Sequence, residues 1–390
     1  MLALDKRHEV ILVLLDLSAA FDTIDHNVLL DRLKIRYGFD GLALDWVRSF
    51  MCGRSQQVVI GESMVSDRRT LVYGVPQGSI LGPMLFSLYA APLEEVIARH
   101  NCKTVIFADD TQLYICCETP DSVVRIENCI QDIRTWMAAN FLALNDAKTE
   151  IVCFTSRFKR SPPDCDVIHV GESVIQKSSV VRNLGVMFDV NATMSQQVAN
   201  ICKAASYSLW RVGKIRNLLD RKMTEKLVHA FITSRLDCCN SILIGIQDYQ
   251  LRKLQAIQNA AARLVFSIRK RDRLHISPIL EQLHWLPVRA RINFKIVCII
   301  FKCVHWSVAP FYLKELINIK SSGRGNLRSS DAITLVRPTT RTLKNYGDRA
   351  FATVGPKLWN ELPPYLRRKT DFVDFKKGLK THYFSLCYCK

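Results

Sequence analysis

Residues 105–113 read VIFADDTQL, in which two adjacent carboxylates, Asp109 and Asp110, follow a short apolar run with the character of a buried strand. Like charges so placed repel each other and resist leaving water. A hairpin turn accounts for them, because Asp accepts unusual backbone angles and caps its own chain. A divalent cation also accounts for them, because it favours hard oxygen ligands and its charge removes their repulsion. The two readings are compatible, since a hairpin tip can aim both carboxylates at one ion.

Outward from this pair the chain alternates strand and helix signals. EVILVLLDL (9–17) reads as a buried strand, and DHNVLLDRLKIRYG as a helix capped near Asp25 and stopped at Gly38. A second helix is expected at about 41–51, followed by two short strands of the hairpin kind, QQVVIG and RTLVYG. SILGPMLFSLYAAPLEEVIARH predicts one long apolar helix with Ser79 as its N-cap. CKTVIFADDTQLYICC gives two strands around the Asp pair, DSVVRIENCIQDIRTWMAANF a helix, and KTEIVCF a further strand. This is the pattern of an α+β layer, with helices covering a mostly antiparallel sheet.

From about 193 the pattern becomes almost wholly helical. DYQLRKLQAIQNAAARLVF sets Leu251, Leu254, Ile257, Ala261 and Leu264 on one face at helical spacing. INFKIVCIIFKCV (292–304) is too short to span a bilayer and contains Lys295 and Lys302, so it reads as a core helix. The cationic run RKRDR (269–273) is either a solvated loop or a phosphate contact. Residues 319–345, rich in Ser, Gly and Arg, predict a long loop or linker.

At 390 residues and 48% hydrophobic, the chain has enough apolar material for two or three domains. Its net charge of +18 is unevenly distributed. Residues 1–155 carry 14 Lys and Arg against 20 Asp and Glu, a net of −6, and residues 156–390 carry 40 against 16, a net of +24. An acidic first part and a strongly basic second part point to metal-dependent chemistry in the first and a polyanionic partner, nucleic acid above all, held by the second. Fourteen cysteines occur without a CxxC pair, which argues against structural zinc and for reduced thiols in an intracellular protein, nuclear or cytoplasmic. The Met1 end lacks the pattern of a signal peptide, and no membrane partner is expected.

One hairpin cannot surround two ions, so a third carboxylate is needed, and Asp16 is the candidate because it ends the apolar strand VILVLLD. A strand-end Asp beside a hairpin-tip Asp pair describes a two-metal site for in-line phosphoryl displacement, and hence nucleotidyl transfer. A cap or turn acid remains the simpler account of Asp16 taken alone.

These residues carry a resemblance. LLDLSAAFDTIDH, YGVPQGSILGPMLF, FADDTQLY, NFLALNDAKTEIVCF and LGVMFD, in that order, resemble the successive palm motifs of the reverse transcriptase of non-LTR (LINE-type, jockey-like) retrotransposons. The resemblance implies an RNA-directed DNA polymerase. Its expected fold is an RNA-recognition-like palm of antiparallel sheet and helices over 1–190, a helical thumb over 191–275, and a basic, mostly helical C-terminal region over 276–390. It also implies that Asp16, Asp109 and Asp110 hold two Mg²⁺ ions, with Mn²⁺ as the alternative. Phe21 matches the bulky residue that rejects a ribose 2′-hydroxyl, and Gln77 and Gly78 match the loop beside the incoming nucleotide and template. Lys148 matches a basic position suspected of donating a proton to departing pyrophosphate, and LGVMFD (184–189) matches the primer-supporting hairpin.

The implied partners are template RNA, a DNA primer or target DNA, and deoxynucleoside triphosphates. LHWLPVRARINFKI, APFYLKEL, NLRSS and GPKLWNELPPYLRR resemble the region after the thumb in the same proteins, where Trp285, Trp359, Tyr365 and Phe384 are either core aromatics or base-stacking platforms. Only fifteen residues precede Asp16, whereas the family's palm follows a fingers region. An N-terminally truncated frame, inactive by itself, is therefore expected, and a non-catalytic nucleic-acid-binding remnant is the alternative.

Overall fold

The sheet forms where the alternation is strictest. In the computed structural model, which describes residues 1–61, 64–156, 167–171, 173–268, 272, 274–320, 332–338 and 346–389, strand β1 (Glu9–Leu15) alternates buried and half-buried side chains along its whole length. Three more strands join it: β2 (Lys103–Phe107), β3 (Asp110–Cys117) and β4 (Glu150–Phe154). Their order is β4-β1-β3-β2 and every pairing is antiparallel. Ile11, Val13, Leu15, Leu113 and Ile115 contribute to one apolar core with the helices that cover the sheet.

The other elements of this region follow the sequence signals with two exceptions. Helix α1 (His26–Tyr37) begins at Asp25, whose carboxylate accepts from the amides of Asn27 and Val28, and stops at Gly38 with φ of 69°. Helix α2 (Gly41–Met51) follows as expected. The single long helix expected from Ser79 is instead two, α3 (Gly82–Ala90) and α4 (Leu93–Ala98). Pro92 lies at the break, where it has no N–H to continue the ladder. Ser79 does not open the helix, although its hydroxyl accepts from the Gly82 amide at 2.9 Å. Helix α5 (Ser122–Ala139) lies against β3, and α4 against β2.

The second exception is the hairpin of residues 54–71. QQVVIG and RTLVYG do not pair as units. Arg54–Gln56 pairs with Arg69–Leu71, and Val59–Ile60 pairs with Met64–Val65. Nearly every side chain here is exposed, so no buried face fixes the register.

The chain divides into two bodies, Arg7–Gly185 and Met1–Lys6 with Val186–Lys390. The strands Val180–Asn183 and Val186–Asp189 flank Leu184 and Gly185, both at positive φ, where the hairpin of LGVMFD was expected. The second body contains α6 (Ser195–Ile215), α7 (Arg221–Val228), α8 (Asp248–Val265), α9 (Val288–His305), α10 (Phe351–Asn360) and α11 (Phe372–Tyr388). One connected core runs from Val186 to Tyr383. Residues 191–275 and 276–390, expected as separate regions, thus share their apolar interior.

At its centre Phe301 stacks on Phe375 with centroids 4.3 Å apart, and fully buried Trp359 donates its indole N–H to the Ile333 carbonyl at 2.9 Å. Trp285 is likewise buried and Phe384 packs against this core, whereas Tyr365 is exposed. The buried face of α8 is rotated from the expected one. Leu254 and Ala261 are buried, Leu251, Ile257 and Leu264 only partly, and Gln250 and Gln258 are inside. Distant partners meet the nitrogens of these amides: Gln258 donates to the Leu286 carbonyl at 2.8 Å, and Gln250 to the Ser195 hydroxyl.

INFKIVCIIFKCV lies within α9, most of whose apolar residues are buried. No helix among the described residues is long and apolar enough to cross a membrane. The thirteen described cysteines are free thiols. RKRDR, apart from Asp272, and NLRSS lie outside the described residues, as does most of 319–345; within the latter, Ile319 bridges Leu335 in antiparallel fashion.

Candidate active site

The site is built where β1 and β3 end together. Their antiparallel register closes with Leu15 opposite Thr111, so Asp16, one residue on, and Asp110, one residue back, sit across from each other at one edge of the sheet. The β2–β3 hairpin closes with Phe107 opposite Asp110, leaving Ala108 and Asp109 as its tip. The turn reading is realised, and the strand register brings Asp16 and Asp110 to one edge of the sheet. Ala108 holds φ of 53°, a conformation that favours glycine, so the hairpin stores backbone strain next to the acid pair.

Electrostatics report the same proximity. Burial first, then the charges of Asp109 and Asp16, hold the Asp110 carboxyl above the usual carboxylate range. Asp110 is exposed by surface area, so this shift records crowding of like charge at a partly shielded edge rather than deep burial. Asp16 Oδ2 is buried without a hydrogen-bond donor. Lys148 Nζ lies 3.7 Å from it, near enough for attraction but too far for a hydrogen bond.

The segment carrying Lys148 is tied to the same strand. The Asn145 amide donates to the Asp16 carbonyl at 2.9 Å, and Leu17–Ser18 pairs with Ala143–Leu144. Lys148 ends a short 3₁₀ turn, Asp146–Lys148, whose Asp146 is held by Arg134 at 2.6 Å and by the Ser173 hydroxyl at 3.2 Å.

A cleft of about 430 Å³ opens beside the hairpin tip. Asp109 is on its wall together with Ala19, Phe21, Gln77, Gly78 and Pro83. Phe21 is steadied from behind by Phe86, with ring centroids 5.2 Å apart. Gln77 donates to both oxygens of Asp22, at 2.9 and 3.0 Å. The loop bearing Gln77 is stapled to the segment after β1: the Val75 amide donates to the Phe21 carbonyl and the Gly74 amide to the Ile24 carbonyl, both at 2.8 Å, and the His26 ring reaches the Gly74 carbonyl. Gly74 has φ of 86°, and a Cβ there would meet the Asp22 backbone at 3.0 Å. Only glycine fits this approach.

The seven sequence-derived candidates therefore fall in one neighbourhood of the first body. Asp109, Phe21, Gln77 and Gly78 line the cleft, and Asp16, Asp110 and Lys148 stand at the sheet edge beside it. Sequence reading missed Asp22, His26, Arg134 and Asp146. Asp22, His26 and Asp146 lie inside or beside the quoted motifs, but their partners are far off in the chain, and Arg134 gives no signal at all.

The donor set suits a hard divalent cation: three carboxylates, one with a buried oxygen that nothing hydrogen-bonds. Among the described residues no three acidic, His or Cys side chains are already drawn close enough to enclose an ion. Side-chain rotation would have to bring the three carboxylates together around an ion.

Comparison with known proteins adds a family likeness. Residues 2–188 match the model of the reverse transcriptase (RNA-dependent DNA polymerase) family. This segment is therefore similar to a reverse transcriptase domain. Over 277 residues, 67% of its length, the chain is 27% identical to a probable RNA-directed DNA polymerase from transposon X-element of Drosophila melanogaster, covering 29% of that protein. It is also 26% identical over 208 residues to the RNA-directed DNA polymerase from mobile element jockey of Drosophila funebris, covering 22% of it. The chain thus spans under a third of the length of these relatives. A solved structure of apo telomerase from Candida tropicalis overlays 78% of the chain with a TM-score of 0.40 and 12% identity, too loosely to carry weight for fold or function. The matched segment takes in the whole sheet, the cleft and all seven candidate residues.

Proposed function

We propose that the chain is the polymerase part of a non-LTR retrotransposon protein and catalyses RNA-directed DNA synthesis, with the first body as palm and the helices that follow as thumb and basic nucleic-acid-binding region. The observation that carries the reading is the meeting of Asp16 and Asp110 on adjacent strands, with Asp109 on the wall of a cleft that also contains Phe21, Gln77 and Gly78.

Asp16, Asp109 and Asp110 would hold divalent cations, Mg²⁺ or Mn²⁺, which when bound supply charge stabilisation to the attacking and leaving oxygens of a phosphoryl transfer. The residues of the chain do the positioning. Phe21, backed by Phe86, presents a rigid face to the sugar and leaves no room for a 2′-hydroxyl, which favours deoxynucleotides. The Gln77–Gly78 loop, anchored through Asp22, lets backbone approach the base pair being formed. Lys148, beside Asp16, carries a proton to the edge where pyrophosphate would depart. Template RNA and the primer lie along the basic second body.

Primer extension on an RNA template with Mg²⁺, by the protein that carries this chain, tests the reading. Asp109→Ala should lower extension by at least about 10³-fold with RNA affinity unchanged, because charge stabilisation is commonly the largest part of such catalysis. Phe21→Ala should mainly relax the preference for deoxynucleotides. Extension that survives Asp109→Ala would refute the site. RNA binding without any extension by the parent protein would favour the non-catalytic remnant.

A further inference from the structure

The second body has a groove of about 570 Å³ between α9 and α11, floored by Trp285, Phe294 and Phe372. Four lysines border it: Lys295 and Lys302 on α9, Lys376 and Lys380 on α11. Lys295 and Lys302 are seven residues apart and Lys376 and Lys380 four, so each pair lies on one helical face. Three of them crowd a single point, for Lys376, Lys295 and Lys302 each pull down the Cys298 thiol, which burial pushes up to about 11.

The two acids of this groove are engaged by partners other than the lysines. Asp237 is held bidentately by Arg291, and Glu225 lies 3.6 Å from His229. Among the described residues no carboxylate pairs with any of the four lysines. Lys302 leans over the Trp306 and Phe372 rings instead, 4.9 and 5.1 Å from their centroids. Trp285, 4% exposed, buries an indole N–H with no acceptor. A buried donor without a partner is costly, and an incoming acceptor would relieve it.

We infer that this groove is a binding site for one or two nucleotides of a single-stranded polynucleotide, separate from the polymerase cleft. Phosphates meet the lysines, and a base lies on the aromatic floor with a polar edge toward Trp285. The volume is that of a small-ligand pocket. Unpaired cations beside aromatic faces are the combination that single-stranded nucleic acid uses. An inorganic anion would use the lysines and leave the floor empty, and an acidic peptide would satisfy the charge without a planar group to stack. The site draws on nothing in the first body, so it stands even if the chain does not polymerise.

The test is fluorescence anisotropy of the full chain with labelled ten-nucleotide oligouridylate and, in a parallel arm, oligothymidylate, across a salt series. Lys376→Gln with Lys380→Gln should weaken binding of at least one of the two about tenfold and reduce the salt slope by about 0.7 for each phosphate no longer neutralised. The exposed pair Arg252→Gln with Lys253→Gln, equal in charge and on α8, none of whose residues lines the groove, should change affinity no more than about twofold. Trp285→Phe, which keeps the ring and removes the N–H, should weaken binding about threefold with unchanged salt slope. Equal losses from the groove pair and the control pair would reduce the site to general surface charge and overturn it. So would wild-type affinity for both oligonucleotides in the groove variant, or groove-dependent binding of polyglutamate with the oligonucleotides unaffected.

Discussion

The two bodies leave opposite charges uncompensated, and they do so in different kinds of structure. In the first, the crowded charge is negative and sits at the end of an antiparallel sheet, where burial first, and then Asp109 and Asp16, raise the Asp110 carboxyl. In the second, it is positive and lies along two helices, where four lysines form no ion pair with an acid among the described residues. Other ions of both bodies are paired for structure, as Arg134 is with Asp146 and Arg291 with Asp237. The contrast teaches that charge left unpaired inside an otherwise satisfied body marks where that body meets something else. For the first that is a cation and for the second a polyanion.

The comparison assumes two independent interiors, and the largest effect tests that assumption. Trp359→Ala removes a fully buried indole and its hydrogen bond from the aromatic centre of the second body, and should cost about 3–5 kcal/mol there. Hydrogen exchange is the readout: amides of α9 and α11 should lose protection, while those of Val13 and Leu113 in the sheet keep theirs. Loss in both regions would break the division.

A smaller effect sharpens the account of the cleft. Gly74→Ala combines a left-handed backbone with a contact on the Asp22 backbone, and should destabilise the first body by roughly 2–4 kcal/mol. Gly78 shares the left-handed conformation at φ of 77° but has open space around it, so Gly78→Ala should cost only about 1 kcal/mol. Urea titration of the two variants checks the difference. Equal losses would mean that the staple between the Gln77 loop and the segment after β1 does not hold the cleft.

The smallest effect concerns pH. The Asp110 carboxyl is raised from 3.8, so its ionised form is disfavoured in the folded state. Stability contributed by the protonated form is present below pH 3.8 and is lost as pH rises through the raised value. In a metal-free buffer Asp110→Asn should therefore raise the melting temperature slightly at neutral pH and leave it unchanged at acid pH. Added Mg²⁺ should stabilise the parent chain and not the variant. A variant that melts lower at neutral pH would contradict the crowding of charge.

Much of this arrangement was legible in the sequence because the signals were local. The alternation of EVILVLLDL produced the central strand, the run around Asp109 and Asp110 produced the hairpin, and Asp25 and Gly38 bounded their helix. What the sequence did not convey depends on distant partners or on the lack of a buried face. Val59 and Val65 pair in a register that no core dictates. Gln250 and Gln258 lie inside because Ser195 and Leu286 meet them, which apolar periodicity cannot register. Asp22 acquires its role from Gln77, fifty-five residues away. Pro92 was the exception, a visible break that the apolar run around it obscured.

The central claim is that Asp16, Asp109 and Asp110 together hold the cation, and metal-directed cleavage tests it most directly. Fe²⁺ is substituted for Mg²⁺, ascorbate and peroxide are added, and the fragments are mapped. Cuts are expected in the chain near residues 16 and 109–110, suppressed by excess Mg²⁺ and absent from the Asp16→Asn, Asp110→Asn double variant. Cuts elsewhere in the chain, or the same cuts in the double variant, would contradict the assignment.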